Sequence, residues 1–285
     1  MTVGQALKHA ADELAASRIP DPGVEAEWML AHLLSVPRNI LFLKSGLPLA
    51  PPFESALAIF LERRTRREPL QHILGSVSFC GIEVTVNEHA LVPRPETEEL
   101  ADHAWSFLNA GDVEQPKVLD FGTGTGCLAI AVATNCGRAQ VHAIDKSRRA
   151  LKLARDNVRE LNLTERITFG LGDGFEALDE SQRFDLMISN PPYIPARDIG
   201  GLQPEVRDYD PRLALDGGQD GLEFYRMFAE RAGERLNSGG TLMAEFGDGQ
   251  EGDLETIFSA TGWERFKAVK DLSGRPRFFE VHWSL

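Results

Sequence analysis

Between residues 117 and 246, five short runs rich in aliphatic and β-branched residues, KVLDF, VHAID, ITFGL, FDLMIS and TLMAEF, alternate with stretches of helical spacing. Strands separated by helices of that length pair in parallel, with the helices returning over both faces of one sheet. The expected fold is therefore α/β, a doubly wound and mostly parallel sheet. In such sheets ligands sit outside the carboxyl ends of the strands, so the loops that follow each run are where chemistry should be sought. The last twenty residues hold WERFKAV and RFFEVHW around a Gly-bearing turn, which predicts a terminal hairpin and an antiparallel edge.

The first of those loops reads Asp120-Phe121-Gly122-Thr123-Gly124-Thr125-Gly126, after a strand and before a helix that begins at Cys127. Glycine belongs there because a Cβ would block close approach of the backbone to a cofactor. The third glycine comes one residue earlier than in the dinucleotide pattern G-x-G-x-x-G, which disfavours a nicotinamide cofactor. Asp145 closes the next strand about 20 residues further on, the distance at which an acidic residue meets a pair of ribose hydroxyls. Asp173 and Gly174, after the third strand, are expected at the adenine end of the same ligand. Taken alone, three glycines could serve a tight turn and Asp145 could cap the next helix; the combination favours a nucleoside-bearing ligand.

The fourth strand runs directly into Asn190-Pro191-Pro192-Tyr193. Two prolines fix φ and remove backbone donors, leaving a stiff loop rich in acceptors. That surface suits a planar NH₂ whose lone pair is conjugated with a carbonyl or a ring, a poor nucleophile that needs holding more than deprotonating. The Asn190 side-chain oxygen and the Pro191 carbonyl would each accept one N–H, aiming the nitrogen at the methyl of a sulfonium donor, and Tyr193 would pack on the flat face. Elsewhere in a sequence the same tetrapeptide would be no more than a rigid turn; its place after strand four of a glycine-loop domain gives it function.

The front of the chain is helical. Val3, Leu7, Ala10 and Leu14 form one stripe, Val24, Trp28, Leu33 and Leu34 a second, and a third helix is expected from Phe53 to Arg64, ending in Arg63, Arg64, Arg66 and Arg67. That arginine group reads first as a solvated helix end and second as a docking patch. FCGIEVTV alternates in the strand manner, and with a short extended piece at 90–92 it predicts a hairpin that links two domains. The domains are set at 1–75, a helical bundle; 76–94, the hairpin linker; and 95–285, the ligand-binding α/β domain. Pro95 at a helix start, with Glu96, Glu98 and Glu99 following, suits the positive end of the helix dipole.

Charge and composition narrow the partners. The formal net charge is −13, from 30 Lys and Arg against 43 Asp and Glu in 285 residues, which opposes non-specific attraction to nucleic acid. Three cysteines, Cys80, Cys127 and Cys136, show no C-x-x-C pairing, and the seven histidines are scattered, so neither a disulfide framework nor a metal site is expected. The first residues lack a signal peptide's apolar core, and no apolar run approaches the length of a membrane span. A cytoplasmic protein follows, with no membrane partner.

Several long motifs in one order now stand out: REPLQHILG, ALVPRPETEEL, DFGTGTG, AIDKS, SNPPYIP, PRLALDGGQDGL and KDLSGRPR. By these the chain resembles, over nearly its whole length, the HemK/PrmC family, the glutamine N5-methyltransferases of class I peptide chain release factors. The resemblance implies a class I, Rossmann-like methyltransferase domain with a seven-stranded sheet. It also implies S-adenosyl-L-methionine as cofactor and an N-terminal domain for substrate recognition. The substrate would be the glutamine of the release factor's Gly-Gly-Gln tip, with no direct nucleic-acid partner. It places Gly122, Thr123, Gly124, Thr125, Gly126, Asp145, Asp173, Gly174 and Asn190 on the cofactor, and Asn190, Pro191, Pro192 and Tyr193 on the glutamine amide. Gly174 departs from the bulky aromatic of many relatives, which leaves Phe175 as the expected adenine cover. FCGIEV is also similar to a sister family that methylates a ribosomal-protein glutamine, whereas Arg94 to Glu98 match the release-factor enzymes better. An N6-adenine-type nucleic-acid methyltransferase meets the same conjugated-amine problem but would need base flipping or a single strand. A non-catalytic binding module would have no need of the glycine loop, Asp145 and Asn190 together.

Overall fold

The computed structural model describes residues 1–271 and 273–284 and divides into two compact units. One is Met1–Ser76 together with Gln203–Tyr209; the other is Val77–Leu202 with Asp210–Leu285.

The first unit opens with α1, Val3–Ala16, whose start is fixed by a capping box between Thr2 and Gln5 and whose stripe of Val3, Ala6, Ala10 and Leu14 is buried. It continues through α2 (Pro22–Leu34), α3 (Arg38–Leu41), α4 (Pro51–Thr65) and α5 (Leu70–Leu74). In α2 only half of the expected stripe holds: Leu33 and Leu34 pack against the core, but Val24 and Trp28 do not. Ala26, Met29 and Leu30 face the core, while Val24 and Trp28 remain 43% and 46% exposed. The indole of Trp28 instead carries the Arg38 guanidinium 4.8 Å from its ring centre, an amphipathic use of an aromatic at the surface.

Of the arginines at the end of α4, Arg66 is solvated, 71% exposed beside Glu62, but Arg63, Arg64 and Arg67 are held in ion pairs. The side chain of Arg64 is only 4% exposed; its Nε binds Glu25 at 2.6 Å and its Nη1 binds Glu205 at 2.9 Å. Arg67 meets the other oxygen of Glu205 at 2.8 Å, and the Tyr209 hydroxyl donates to the Arg66 carbonyl at 2.8 Å. Glu205 lies in α9, Pro204–Arg207, far along the chain, which is why the segment Gln203–Tyr209 belongs to this unit.

The linker hairpin is shorter than expected. Strands β1 (Ser76–Phe79) and β2 (Ile82–Thr85) are joined by Cys80 and Gly81, both at positive φ, 51° and 75°. Two left-handed residues make the tight turn that matches strand twist, so the pairing is complete by Thr85. Residues 90–92 form no strand and run on as an irregular segment.

The rest of the second unit is one seven-stranded sheet in the order β5-β4-β3-β6-β7-β9-β8. The strands are β3 (Lys117–Phe121), β4 (Gln140–Asp145), β5 (Ile167–Leu171), β6 (Phe184–Ser189), β7 (Leu236–Glu245), β8 (Glu264–Lys270) and β9 (Pro276–His282). Strands β3 to β7 pair in parallel, and β9 enters antiparallel between β7 and β8. Helices α6 (Pro95–Ala110), α7 (Cys127–Asn135), α8 (Arg148–Glu160), α10 (Glu223–Arg231) and α11 (Glu251–Ser259) complete the unit.

Alternate residues of the central strands enter separate cores. Val118, Leu186, Met243 and Phe278 pack with α6 and α7, whereas Leu119, Met187, Leu242 and Phe279 pack with α10 and α11. Burial on both faces explains why these strands read as unbroken apolar runs. The strand order reverses at β3, where β4 lies on one side and β6 on the other, and this reversal opens the crevice at the carboxyl edge.

Breaking the buried ion cluster should be costly, because Glu25 would lose its partner and Glu205 would be left with Arg67 alone. Arg64→Ala is expected to destabilise the first unit by about 3–5 kcal/mol, read as a lower urea midpoint. An unchanged midpoint would show that the cluster contributes nothing to folding.

Candidate active site

The two loops singled out in the sequence meet because β3 and β6 are neighbours in register. Phe121 pairs with Ser189, and the Ser189 hydroxyl donates to the Phe121 carbonyl at 2.8 Å. The chains on either side therefore leave the sheet together, one as the glycine loop and the other as Asn190-Pro191-Pro192. Both line a single cleft, which also takes in Asp145, Asp173 and Gly174.

In the glycine loop Gly122, Gly124 and Gly126 all have positive φ, 74°, 56° and 84°. Their reasons differ. A Cβ on Gly126 would meet Ala154 Cβ at 3.2 Å, so that glycine lets the loop pack on α8; a Cβ on Gly122 would meet nothing within 4 Å. Gly122 thus bares its backbone to the cleft, a cradle that a side chain would fill. The amides of Gly122 and Thr123 both donate to the Ile144 carbonyl at 2.9 Å, tying the loop to β4. Beneath it Asp120 is fully buried and accepts from the Thr123 hydroxyl at 2.5 Å and from the Ala129 amide at 3.2 Å. Burial pushes its carboxyl up to about 7, and the neighbouring Asp145 adds to the rise.

Asp145 ends β4 in the cleft wall. Its Oδ2 accepts from the Gly124 amide at 3.0 Å and its Oδ1 from the Ser147 amide at 2.8 Å. Each oxygen keeps a lone pair for a ligand hydroxyl. Burial raises this carboxyl too, opposed by those backbone donors. Asp173 sits at the rim, with a side chain 74% exposed and Lys146 Nζ 3.7 Å away. Gly174 (φ 62°) also lines the cleft. Phe175 does not. It is 1% exposed and packs against Phe121 and Phe228 at centroid distances of 5.2 and 6.4 Å, so it is not free to cover an adenine. Phe121 stands beside Gly174, and Leu213 and Phe224 are further apolar residues of the cleft lining.

On the acceptor side, Asn190, Pro191 and Pro192 face the cleft. Asn190 Nδ2 donates to Thr97 Oγ1 at 3.1 Å, and Thr97 donates to Glu245 Oε2 at 2.6 Å. Tyr193 is placed differently from the expectation that it packs on a bound amide. Its ring joins the core beside α10 and α11, and its hydroxyl reaches Glu245 Oε1 at 3.4 Å. Thr97, the third residue of α6, is supplied by the PRPETE segment, whose Pro95, Glu96 and Glu98 do form the first helical turn. Arg94, just before it, binds the buried Asp210 at 2.7 Å.

Two family descriptions match this architecture: the PrmC N-terminal domain fits residues 5–75 and the methyltransferase small domain residues 104–200. A release factor glutamine methyltransferase of Geobacter sulfurreducens is 41% identical over 276 residues, 97% of this chain and 95% of the relative. The chain belongs to the release factor glutamine methyltransferase family. A second member, from Deinococcus radiodurans, is 38% identical over 278 residues, covering 98% of this chain and 97% of its own. The α/β fold recurs in a methyltransferase from Pyrococcus furiosus, with a TM-score of 0.53, 19% identity, and coverage of 79% of this chain and 99% of that one. Among the described residues no helix is long and apolar enough to cross a membrane, and no cluster of His, Cys, Asp or Glu has the form of a metal site. Of the closing motif KDLSGRPR, Leu272 lies outside the described residues.

Sequence reasoning missed Thr97, Glu245, Leu213 and Phe224. Glu245 did leave a signal, since it is the one charged residue in the apolar run TLMAEF, and it is 2% exposed. Burial pushes its carboxyl up to about 7 against the pull of Thr97 and Arg277. The folded state therefore holds this proton more tightly than the unfolded chain. The resulting stabilisation is complete below the unfolded pKa of about 4.5 and is lost as pH rises through about 7. The stability advantage of the wild type over Glu245→Gln should shrink by on the order of 2–3 kcal/mol between about pH 5 and about pH 8, measured by urea unfolding. A constant difference would mean that Glu245 titrates in the ordinary carboxylate range.

Proposed function

We propose that this protein transfers a methyl group from S-adenosylmethionine to the side-chain amide nitrogen of the glutamine in the Gly-Gly-Gln tip of class I release factors. The observation that carries the reading is that the acceptor loop of Asn190 and the glycine loop with Asp145 line one cleft. Bound there, the cofactor supplies an electrophilic methyl on a positively charged sulfur.

Each residue then has a physical task. Asp145 meets the ribose hydroxyls with the lone pairs its backbone donors leave free. The bared backbone at Gly122 to Gly124, with Thr123, Thr125 and Gly126 shaping the turn, lets the ligand approach closely. Asp173 and Gly174 border the adenine, covered by Leu213 and Phe224 in place of Phe175. Cys127 and Leu128, the first residues of α7, line the cleft at the positive end of that helix, where a carboxylate is favoured.

Asn190 Oδ1 and the Pro191 carbonyl accept the two N–H groups of the substrate carboxamide, and Pro192 stiffens the loop. Holding the nitrogen in line is the main catalytic work, since positioning can supply roughly 7–11 kcal/mol. The bound cofactor would supply the methyl and take up the carbon–sulfur electron pair, so Asn190 and Pro191 need only hold the amide nitrogen in line until the proton made acidic by methylation passes to water. Tyr193 supports the loop from below through Glu245. The first unit is assigned to substrate docking, a role supported by Phe42 and Leu43, which stand 82% and 75% exposed.

The direct test is incubation of a purified class I release factor with enzyme and S-adenosylmethionine, followed by mass mapping. A gain of one methyl on the tip glutamine is expected; label on ribosomal protein or nucleic acid instead would overturn the substrate assignment. Asn190→Ala should lower turnover roughly 100- to 1000-fold while cofactor affinity is nearly unchanged, as for loss of one preorganised polar group at the reacting atoms. Asp145→Ala should weaken cofactor binding by about 1.5–3 kcal/mol in calorimetry, the worth of charge-assisted hydrogen bonds. An unaltered dissociation constant would remove Asp145 from the site.

A further inference from the structure

A carboxamide looks nearly the same from either side, yet only one orientation of Asn190 can work. With Oδ1 toward the cleft it accepts from the substrate's NH₂; turned by half a rotation it would offer Nδ2 donors to another donor. Something must hold the working orientation. The chain of hydrogen bonds beneath Asn190 runs Asn190 Nδ2 to Thr97 Oγ1 at 3.1 Å, then Thr97 to Glu245 Oε2 at 2.6 Å. Thr97 and Glu245 are each 2% exposed, so water does not compete for either group.

The polarity of that chain follows from proton counting. An ionised carboxylate only accepts, and a threonine hydroxyl has one proton to give. If Glu245 is ionised, the Thr97 proton is committed to it, and only lone pairs remain for Asn190. The amide must then turn its NH₂ toward Thr97 and its oxygen toward the cleft. We propose that Thr97 and Glu245 are positioning residues that lock the Asn190 carboxamide in its acceptor-outward orientation and so set the preference for a substrate NH₂ over an oxygen. This rests on the role given to Asn190 above.

When Glu245 is protonated the constraint is lifted, because it can donate to Thr97 and Thr97 to Asn190 Oδ1. The groups that face Glu245 are known from each side. Thr97 and Glu96 come from α6, the Tyr193 hydroxyl from the loop after β6, Arg277 from β9, and the Tyr225 hydroxyl of α10 donates to the Glu245 backbone carbonyl at 2.8 Å. Burial above all, and Glu96, favour the protonated form, while Thr97, Arg277 and Tyr193 favour the ionised one, which leaves the carboxyl at about 7, within reach of ordinary pH changes.

The test compares wild type, Thr97→Val, Thr97→Ser and Asn190→Ala on release factor with glutamine at its tip, and measures inhibition by the same factor with glutamate there. Thr97→Val is expected to lower kcat at least about tenfold, leave S-adenosylmethionine affinity unchanged, and narrow the preference for the glutamine over the glutamate tip by a similar factor. Thr97→Ser, which keeps the hydroxyl, should recover most of both. Wild-type kcat should fall as pH drops below about 7, and Thr97→Val should lose that dependence.

Wild-type turnover in Thr97→Val overturns the lock, as does a loss of turnover in which the glutamine preference is unmoved. Should Thr97→Val not fold, Glu245→Gln gives the same reading, since a carboxamide no longer dictates polarity: a narrowed preference and a flattened pH profile support the lock, and wild-type values of both refute it. Retained turnover in Asn190→Ala would instead defeat the underlying site assignment, so the two failures are distinct.

Discussion

The parallel pairing of Phe121 with Ser189 is the contact on which the site depends. It joins the ends of β3 and β6, parallel neighbours at the point where the strand order reverses, and the Ser189 hydroxyl pins the Phe121 carbonyl. A slip of one residue in that register would exchange the faces of β6 and carry Leu186 and Met187 into each other's cores. Because both cores are tightly filled, register is set by packing, and the adjacency of the two loops comes with it.

Under these loops lies an unusual concentration of buried acid. Asp120 supports the glycine loop through Thr123, and Glu245 supports the acceptor loop through Thr97 and Tyr193. Burial raises both carboxyls to about 7. Their common form is a carboxylate that fixes the direction of a hydroxyl, which then fixes a loop.

Much of this architecture was legible in the sequence because it rests on local rules. The alternation of apolar runs with helical stretches gave the parallel sheet, the glycines and Asp145 gave one wall of the cleft, and Asn190 to Pro192 gave the other. What stayed hidden depends on long-range packing. In α2 both faces carry apolar residues, so periodicity alone could not decide between Trp28 and the Met29–Leu30 face. Phe175 follows a left-handed glycine, and whether its ring met ligand or core was decided by Phe121 and Phe228, distant in sequence. Thr97 and Glu245 are 148 positions apart, and no spacing rule joins them. Arg64 and Arg67 read as solvated because Glu205, which binds both, lies more than a hundred residues further on.

The excursion of Gln203–Tyr209 means that the polypeptide passes between the two units three times, at 76/77, 202/203 and 209/210. A protein shortened to begin at Val77 would retain Glu205 and Tyr209 while losing Arg64, Arg66 and Arg67, leaving an acidic hook with nothing to grip. Exchange of the front bundle between relatives is consequently a two-part graft, in which the hook must travel with the helices that hold it.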